Sequence, residues 1–227
     1  MPPQNTATLI RLGIIALPLA GLLSLVGTLG DLGSPDPDVD PRGAAQAVST
    51  TGYFVTQFVG NVLAVTLAIF GVIALFAYLA STRMGRLAFW AMVLNILGLC
   101  LLLSFLGIPT YAIPAIGQAY LSGQQNAIQV ADAIFSGKLF VIISLSNLLF
   151  FIGFVLFGVA IWRSETLPKW AGGLLVIAGL FLAVPADIPV ASILGSLLLV
   201  IAGGWIALSV WRQPSAQVET EAQPRVR

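Results

Sequence analysis

Residues 87–108 read LAFWAMVLNILGLCLLLSFLGI, a run without a single charged side chain. At about 1.5 Å per residue, such a run forms a helix that crosses a bilayer core about 30 Å thick. The uncharged stretches of this chain that hold such apolar runs are 12–30, 43–82, 87–131, 139–162, 170–186 and 188–211. The sequence therefore predicts an all-α protein, a polytopic membrane helix bundle with about six transmembrane helices.

The composition excludes a water-exposed globule. The chain is 58% hydrophobic and 8% charged, against roughly 25% charged residues in a soluble domain, and its mean hydropathy is +0.99. The net charge of +1 and the lack of a basic stripe argue against nucleic acid as a partner. A single cysteine, Cys100, cannot form an internal disulfide, and its apolar surroundings predict a small core residue.

The apolar cores place six transmembrane spans within a domain 1–211, followed by a tail 212–227. The spans are expected at about 9–29, 54–80, 87–108, 139–162, 170–186 and 190–211. The first run is long for a signal peptide and lacks a clear cleavage site, so a retained helix is favoured. The tail is rich in Gln, Glu, Pro and Arg, which predicts a disordered cytoplasmic segment.

The distribution of basic residues predicts that both termini are cytoplasmic, because cytoplasmic connections are enriched in Lys and Arg. This orientation leaves Arg42 and Lys138 outside. It places inside Arg11, Arg83, Arg86, Arg163, Lys169, Arg212, Arg225 and Arg227.

Aromatic residues at the inner ends of spans two to six agree with this orientation, because amphipathic rings favour the headgroup level. The predicted interfacial anchors are Tyr78, Trp90, Trp162, Trp170 and Trp211. Short connections predict that spans two and three, four and five, and five and six pack as antiparallel neighbours.

The larger connections, 30–52 and 109–138, fall outside. The first contains DPDVDP at 36–41, whose spacing of carboxylates invites a calcium interpretation but lacks the glycine and glutamate of an EF-hand loop, so a solvated acidic loop is favoured. In the second, 114–120 is expected to form a short helix ending near Gly123. Apolar residues at helical spacing in 128–135 predict an amphipathic helix that acts as a cap or, alternatively, as a lid.

The missing residue types exclude several classes of function. Apart from Arg11 at the inner end of the first span, no charged side chain lies within a predicted span, which argues against an ion-driven pump, since charged intramembrane residues usually serve such functions. The sequence contains no histidine, which removes imidazole-ligated haem, HExxH zinc sites and histidine-based hydrolysis. No cofactor and no metal site are expected, and no catalytic residue is identified.

Sparse amides form the candidate polar network or ligand contact: Gln57, Asn61, Asn95 and Asn147. Gln57 and Asn61 lie one helical turn apart. Asn61 and Asn147 are both expected about 10–12 Å below the outer surface, so a direct amide pair is geometrically allowed. A pair that fixes helix register is favoured over ligand binding, because interhelical polar bonds serve packing.

Two spans each carry a pair of glycines eight residues apart, with Leu17 or Leu199 midway between them. Gly13 and Gly21 share a face of the first span, and Gly195 and Gly203 share a face of the sixth. Such faces allow close approach of helix backbones. They either close the bundle internally or join it to another subunit.

Two segments carry a resemblance to a known family. The stretch FGVAIWRS at 157–164 followed by LPKWAG at 167–172, together with QAYLSG at 118–123, resembles a bacterial domain-of-unknown-function family of six-helix integral membrane proteins. The resemblance implies a six-helix fold in the bacterial plasma (inner) membrane. It brings no functional residues.

The sequence thus favours a non-enzymatic integral membrane protein. Its expected surroundings are the lipid bilayer and either a membrane-protein partner or a second copy of itself, so an accessory or scaffold subunit that packs against partner helices is the leading hypothesis. The alternative is a carrier or receptor for a neutral or lipid-like ligand bound between spans two, three and four.

Overall fold

The computed structural model describes residues 3–32, 34–124, 126–135, 138–184 and 188–213. These residues form helices and turns, with no strand among them. The helices are, in chain order, α1 (Pro3–Asp31), α2 (Pro41–Val48), α3 (Thr51–Leu79), α4 (Gly85–Leu121), α5 (Ala127–Phe135), α6 (Lys138–Ser164), α7 (Lys169–Leu182) and α8 (Pro189–Arg212).

Five helices are long and apolar enough to cross a membrane: α1, α3, α4, α6 and α8. The chain is therefore a multi-pass helical membrane protein, as its composition predicts. The helix α7 is apolar but has 14 residues, a length of about 21 Å, which is shorter than a bilayer core. It lies where the fifth span is expected.

The helix α4 runs well beyond the predicted end of the third span. Pro109 was expected to begin a loop, yet α4 continues to Leu121 through a π-helical turn over Ile108–Ala112. The wider turn accommodates a proline that has no backbone N–H to donate. Gly123, with φ +101°, follows the end of the helix, close to where the sequence places it.

The membrane helices form a closed ring in which chain neighbours are spatial neighbours. α3 packs on α4, α4 on α6, α6 on α7 and α7 on α8, while α1 packs between α3 and α8 and closes the ring. The predicted pairing of spans two and three, four and five, and five and six is confirmed. Large side chains fill the centre, led by Tyr78, Phe154 and Phe157, each at most 1% exposed.

The small-residue faces close the ring from within. A Cβ added at Gly13 would lie 2.6 Å from Cβ of Ala74 on α3, and one added at Gly203 would lie 2.9 Å from Cδ of Pro18 on α1. Gly21 faces α8 and Gly195 faces α7 in the same way. Of the two roles that the sequence leaves open for these faces, the structure shows internal closure.

A cap of short helices covers the end of the bundle that carries the acidic loop, called here the outer end after the predicted orientation. α2 and α5 both pack on the part of α4 beyond its π-helical turn. In the acidic loop, Asp40 caps α2, since its Oδ1 accepts a bond from Gly43 N at 2.9 Å. Oδ1 of Asp36 accepts a bond from Asp38 N at 2.9 Å within the loop itself. On α5, Gln129 is exposed and Ala131 half-buried; Gln125 and the side chains of Ile128, Asp132 and Phe135 lie outside the described residues.

The outer part of α6 extends beyond α7, although Ser146 within it still packs on α4. Because Phe154 faces Gly179 near the end of α7, the first ten or so residues of α6 extend past its short neighbour. Residues 139–148, called here the α6 overhang, include Phe140 and Val141, at 66% and 64% exposure, whereas Phe154 and Phe157 on the inner half are buried. Cys100 on α4 is also exposed, so the expectation of a core cysteine was wrong.

Candidate functional site

A chain of polar side chains links α1 to α3 near the outer end of the bundle. Nε2 of Gln57 donates to Oδ1 of Asp31 at 2.9 Å, and Nδ2 of Asn61 donates to Oε1 of Gln57 at 2.6 Å. Gln57 is 4% exposed, and the Tyr53 phenol lies beside it and Asp31. The predicted proximity of Gln57 and Asn61 is thus observed, with Asp31 as a partner that the amides alone did not indicate.

The backbone of α3 is irregular at this chain of polar groups. Residues Phe58–Leu63 form a π-helical turn that contains Asn61, and such turns are often found at functional sites. Within the turn, Gly60 contacts the backbone of α1 at Gly27. This close approach brings the end of α1 within reach of the Gln57 amide.

Asn147 lies away from this chain of polar groups. It sits half-buried on the α6 overhang, and α6 touches α3 at few points. Its amide makes no hydrogen bond with any described residue, so the pair with Asn61 that equal depth allows does not form. The depth of two residues along their helices fixes their heights in the bundle. It does not fix which faces of the two helices contact one another.

Asn95 is fully buried where α4 meets α6. Its Nδ2 donates to the carbonyl of Ala91 on its own helix at 3.1 Å, while Oδ1 has no partner among the described residues. A Cβ on Gly153 of α6 would lie 2.1 Å from Nδ2, so this glycine makes room for the amide. Nearby, Oγ of Ser146 donates to Gly98 O at 2.7 Å and binds the same two helices together.

The predicted interfacial anchors fall into two groups. Trp90, Trp162, Trp170 and Trp211 are all exposed, as rings at a headgroup level would be. Tyr78 is 1% exposed and instead belongs to the core, because its position on α3 faces the centre of the ring.

Gln213 joins four parts of the chain at the end of the bundle opposite the cap. Its backbone oxygen accepts a bond from Arg11, and its Oε1 accepts one from the Tyr78 hydroxyl at 2.8 Å. Its Nε2 donates to Thr166 O at 3.1 Å. Sequence reasoning missed this clasp because Gln213 follows the last apolar run and was placed in the tail; residues 214–227 lie outside the described residues.

None of the four amides lines either of two surface cavities formed by the described residues. One, of about 330 Å³, lies between the outer part of α4 and α5, near Ile116, Asn126 and Val130. The other, of about 390 Å³, lies at the α3–α4 turn beside Arg83, Arg86 and Trp90. Within the described ranges, no three His, Cys, Asp or Glu residues are grouped so as to hold a metal ion.

Comparison with protein-family models, curated proteins and solved structures finds no match to this chain. The resemblance carried by 157–172 and 118–123 therefore remains a prediction.

Proposed function

We propose that this protein is a non-enzymatic accessory or scaffold subunit, which packs against a transmembrane helix of a partner protein through the α6 overhang. The observation that carries the proposal is the contrast in side-chain exposure between the two halves of α6. Phe154 and Phe157 on the inner half of α6 are buried in the ring, while Phe140, Val141 and Leu148 on the outer half are 54–66% exposed.

Polar groups on the overhang favour a protein partner over lipid tails. Neither the Ser144 hydroxyl nor the Asn147 amide makes a hydrogen bond with a described residue. In hydrocarbon, an unpaired amide carries a free-energy cost that a partner helix removes by supplying a bond. Lipid tails would cover the apolar side chains equally well but leave this amide unpaired.

The proposed setting is the bacterial plasma membrane, with six crossings and both termini in the cytoplasm. The end that carries Arg83, Arg86, Arg163 and Lys169 would face the cytoplasm, and the acidic loop at 36–41 would lie outside. A membrane-impermeant maleimide should label an Asp38→Cys variant in intact cells and a Glu165→Cys variant only after permeabilisation, both in a Cys100→Ser background. The opposite pattern would reverse the orientation.

Site-specific photocrosslinking in the native membrane tests the partner. A photoreactive residue at Val141 should join the chain to one discrete protein, while one at Ile201 of α8, which is also exposed, should give lipid adducts only. Asn147→Leu should lower the yield of the crosslinked product at Val141. Asn61→Leu should not, because the Asn61 amide bonds to Gln57 on its own helix. Lipid adducts alone at Val141 would reject the proposal; a product of twice the chain mass would identify the partner as a second copy.

The carrier hypothesis has weaker support. Gln57 bonds to both Asp31 and Asn61, and Asn147 lies on another helix, so the three amides do not converge on one space. A carrier would require the double variant Asn61→Leu, Asn147→Leu to lose a co-purifying ligand that the wild type retains.

A further inference from the structure

We propose that the cavity at the α3–α4 turn binds the phosphodiester of an anionic phospholipid, with the lipid's apolar part lying along the adjoining aromatic rings. The cavity measures about 390 Å³ and is lined by Thr82, Arg83, Arg86, Phe76, Phe89 and Trp90. That volume falls within the range of about 300–1,000 Å³ that is typical of ligand sites. The site lies outside the partner surface on α6 and does not depend on it.

The turn holds two guanidinium groups at one end of the cavity. Gly85 N donates to Thr82 O at 3.0 Å, and a Cβ on Gly85 would lie 2.3 Å from Ala80 O, so the turn closes tightly. Arg83 is held from across the bundle, donating to Oε1 of Glu165 at 2.8 Å and to the carbonyl of Arg163. Its charge is therefore partly neutralised.

Arg86 carries the uncompensated charge of the cavity. Its side chain is exposed and makes no hydrogen bond or ion pair with any described residue. A guanidinium matches a phosphate with two parallel N–H donors. Lipid phosphate is the anion present at highest concentration where a helix end meets a membrane surface, and basic pockets between helices are known to hold such headgroups.

The other wall of the cavity is aromatic and continuous. The Phe76 and Phe89 rings are 6.0 Å apart, and those of Phe89 and Trp90 are 5.6 Å apart, both edge to face. Phe89 and Trp90 are 44% and 58% exposed and lie one turn along α4 from Arg86, on the bilayer side. A cation at the surface end and apolar rings at the deeper end match the two ends of a phospholipid, whereas a free anion would use only the first.

Lipid retention by the purified full-length protein tests the site. Protein in mixed micelles is incubated with dioleoyl phosphatidylglycerol or dioleoyl phosphatidylcholine, and bound lipid is counted by native mass spectrometry. Wild-type protein should retain phosphatidylglycerol in preference to phosphatidylcholine. Arg86→Gln should lower the retained fraction about tenfold, as expected from the loss of one charge-assisted contact, and Arg86→Lys should lower it less.

Matched controls separate this site from general attraction to the basic end of the bundle. Arg212→Gln removes an exposed charge from the same end but outside the cavity and should leave retention unchanged, as should Trp170→Ala, whereas Trp90→Ala should reduce it. Equal loss in Arg86→Gln and Arg212→Gln would overturn the proposal. So would equal retention of both lipids, or displacement of phosphatidylglycerol by millimolar inorganic phosphate, which would show a free-anion site.

Discussion

Gly60 of α3 lies directly on Gly27 of α1, so that a methyl group on Gly60 would stand 2.2 Å from the Gly27 Cα. The same two helices meet at Gly13 with Ala74 and at Leu17 with Gly71. Residue numbers at these contacts rise on one helix as they fall on the other, which is the register of an antiparallel pair. Backbone contact at Gly27 also places Asp31 within hydrogen-bonding reach of Gln57.

Gly60→Ala should destabilise the bundle, because backbone atoms meet the new methyl group and the helices must separate. We expect the free energy of unfolding to fall by about 1–3 kcal/mol, measured by SDS titration in mixed micelles. Gly204→Ala is the matched control, since nothing lies within 4 Å of a Cβ there, and helix propensity should leave stability unchanged or slightly raised. Equal midpoints for the two variants would contradict the close contact.

Gln57→Leu should break the polar chain between α1 and α3. The substitution removes the partner of both the Asp31 carboxylate and the Asn61 amide, and we expect a loss of about 1–2 kcal/mol in the free energy of unfolding. Thr66→Val provides the comparison, because the Thr66 hydroxyl bonds only to Val62 O of its own helix and its loss should cost less. A variant at Gln57 as stable as the one at Thr66 would mean that these bonds contribute little.

Tyr78→Phe and Gln213→Ala should each lower the free energy of unfolding, Tyr78→Phe by about 1 kcal/mol. Because they remove the two ends of one hydrogen bond, the double variant should lose at least 0.5 kcal/mol less than the sum, as roughly expected for coupled residues. Ser209→Ala, which removes a bond internal to α8, should combine additively with Tyr78→Phe. Additivity of Tyr78→Phe with Gln213→Ala would show that the clasp does not form.

Glu165→Gly should be more stable than Glu165→Gln. Glu165 adopts φ +62°, a conformation that costs a residue with a Cβ roughly 1–2 kcal/mol and glycine almost nothing. Both variants lose the ion pair with Arg83. The two side chains of this pair are 60% and 67% exposed, so the pair contributes about 0.2–1 kcal/mol. Thermal unfolding in detergent should rank the glycine variant higher, and the reverse order would argue that the turn is not strained.

Local sequence patterns predicted the helices well. The apolar runs, the inner turns at 81–86 and 163–169 and the end of α4 near Gly123 all depend on neighbouring residues, and each appears close to its expected place. Pro109 misled the prediction, because a π-helical turn absorbs it and α4 continues to Leu121, where α2 and α5 pack on it. The short α7 likewise ends before the apolar run does.

Contacts between helices were predicted less well. Asn61 and Asn147 have the depth to meet but sit on helices that barely touch, while Asp31 and Gln57 meet because Gly27 and Gly60 allow it. Tyr78 and Gln213 form a clasp that neither the anchor pattern nor the tail composition indicates.

The sequence by itself determined that this chain is a helical membrane protein and where most of its helices begin and end. The reason is that the free energy of transferring an uncharged run into hydrocarbon is a sum over adjacent residues. Only the tertiary structure decided the order of helices around the ring, the inward use of the glycine faces and the exposure of the α6 overhang. Most faces of these helices are apolar, so hydropathy does little to distinguish them. Their shape does, where a glycine on one helix admits the backbone of another.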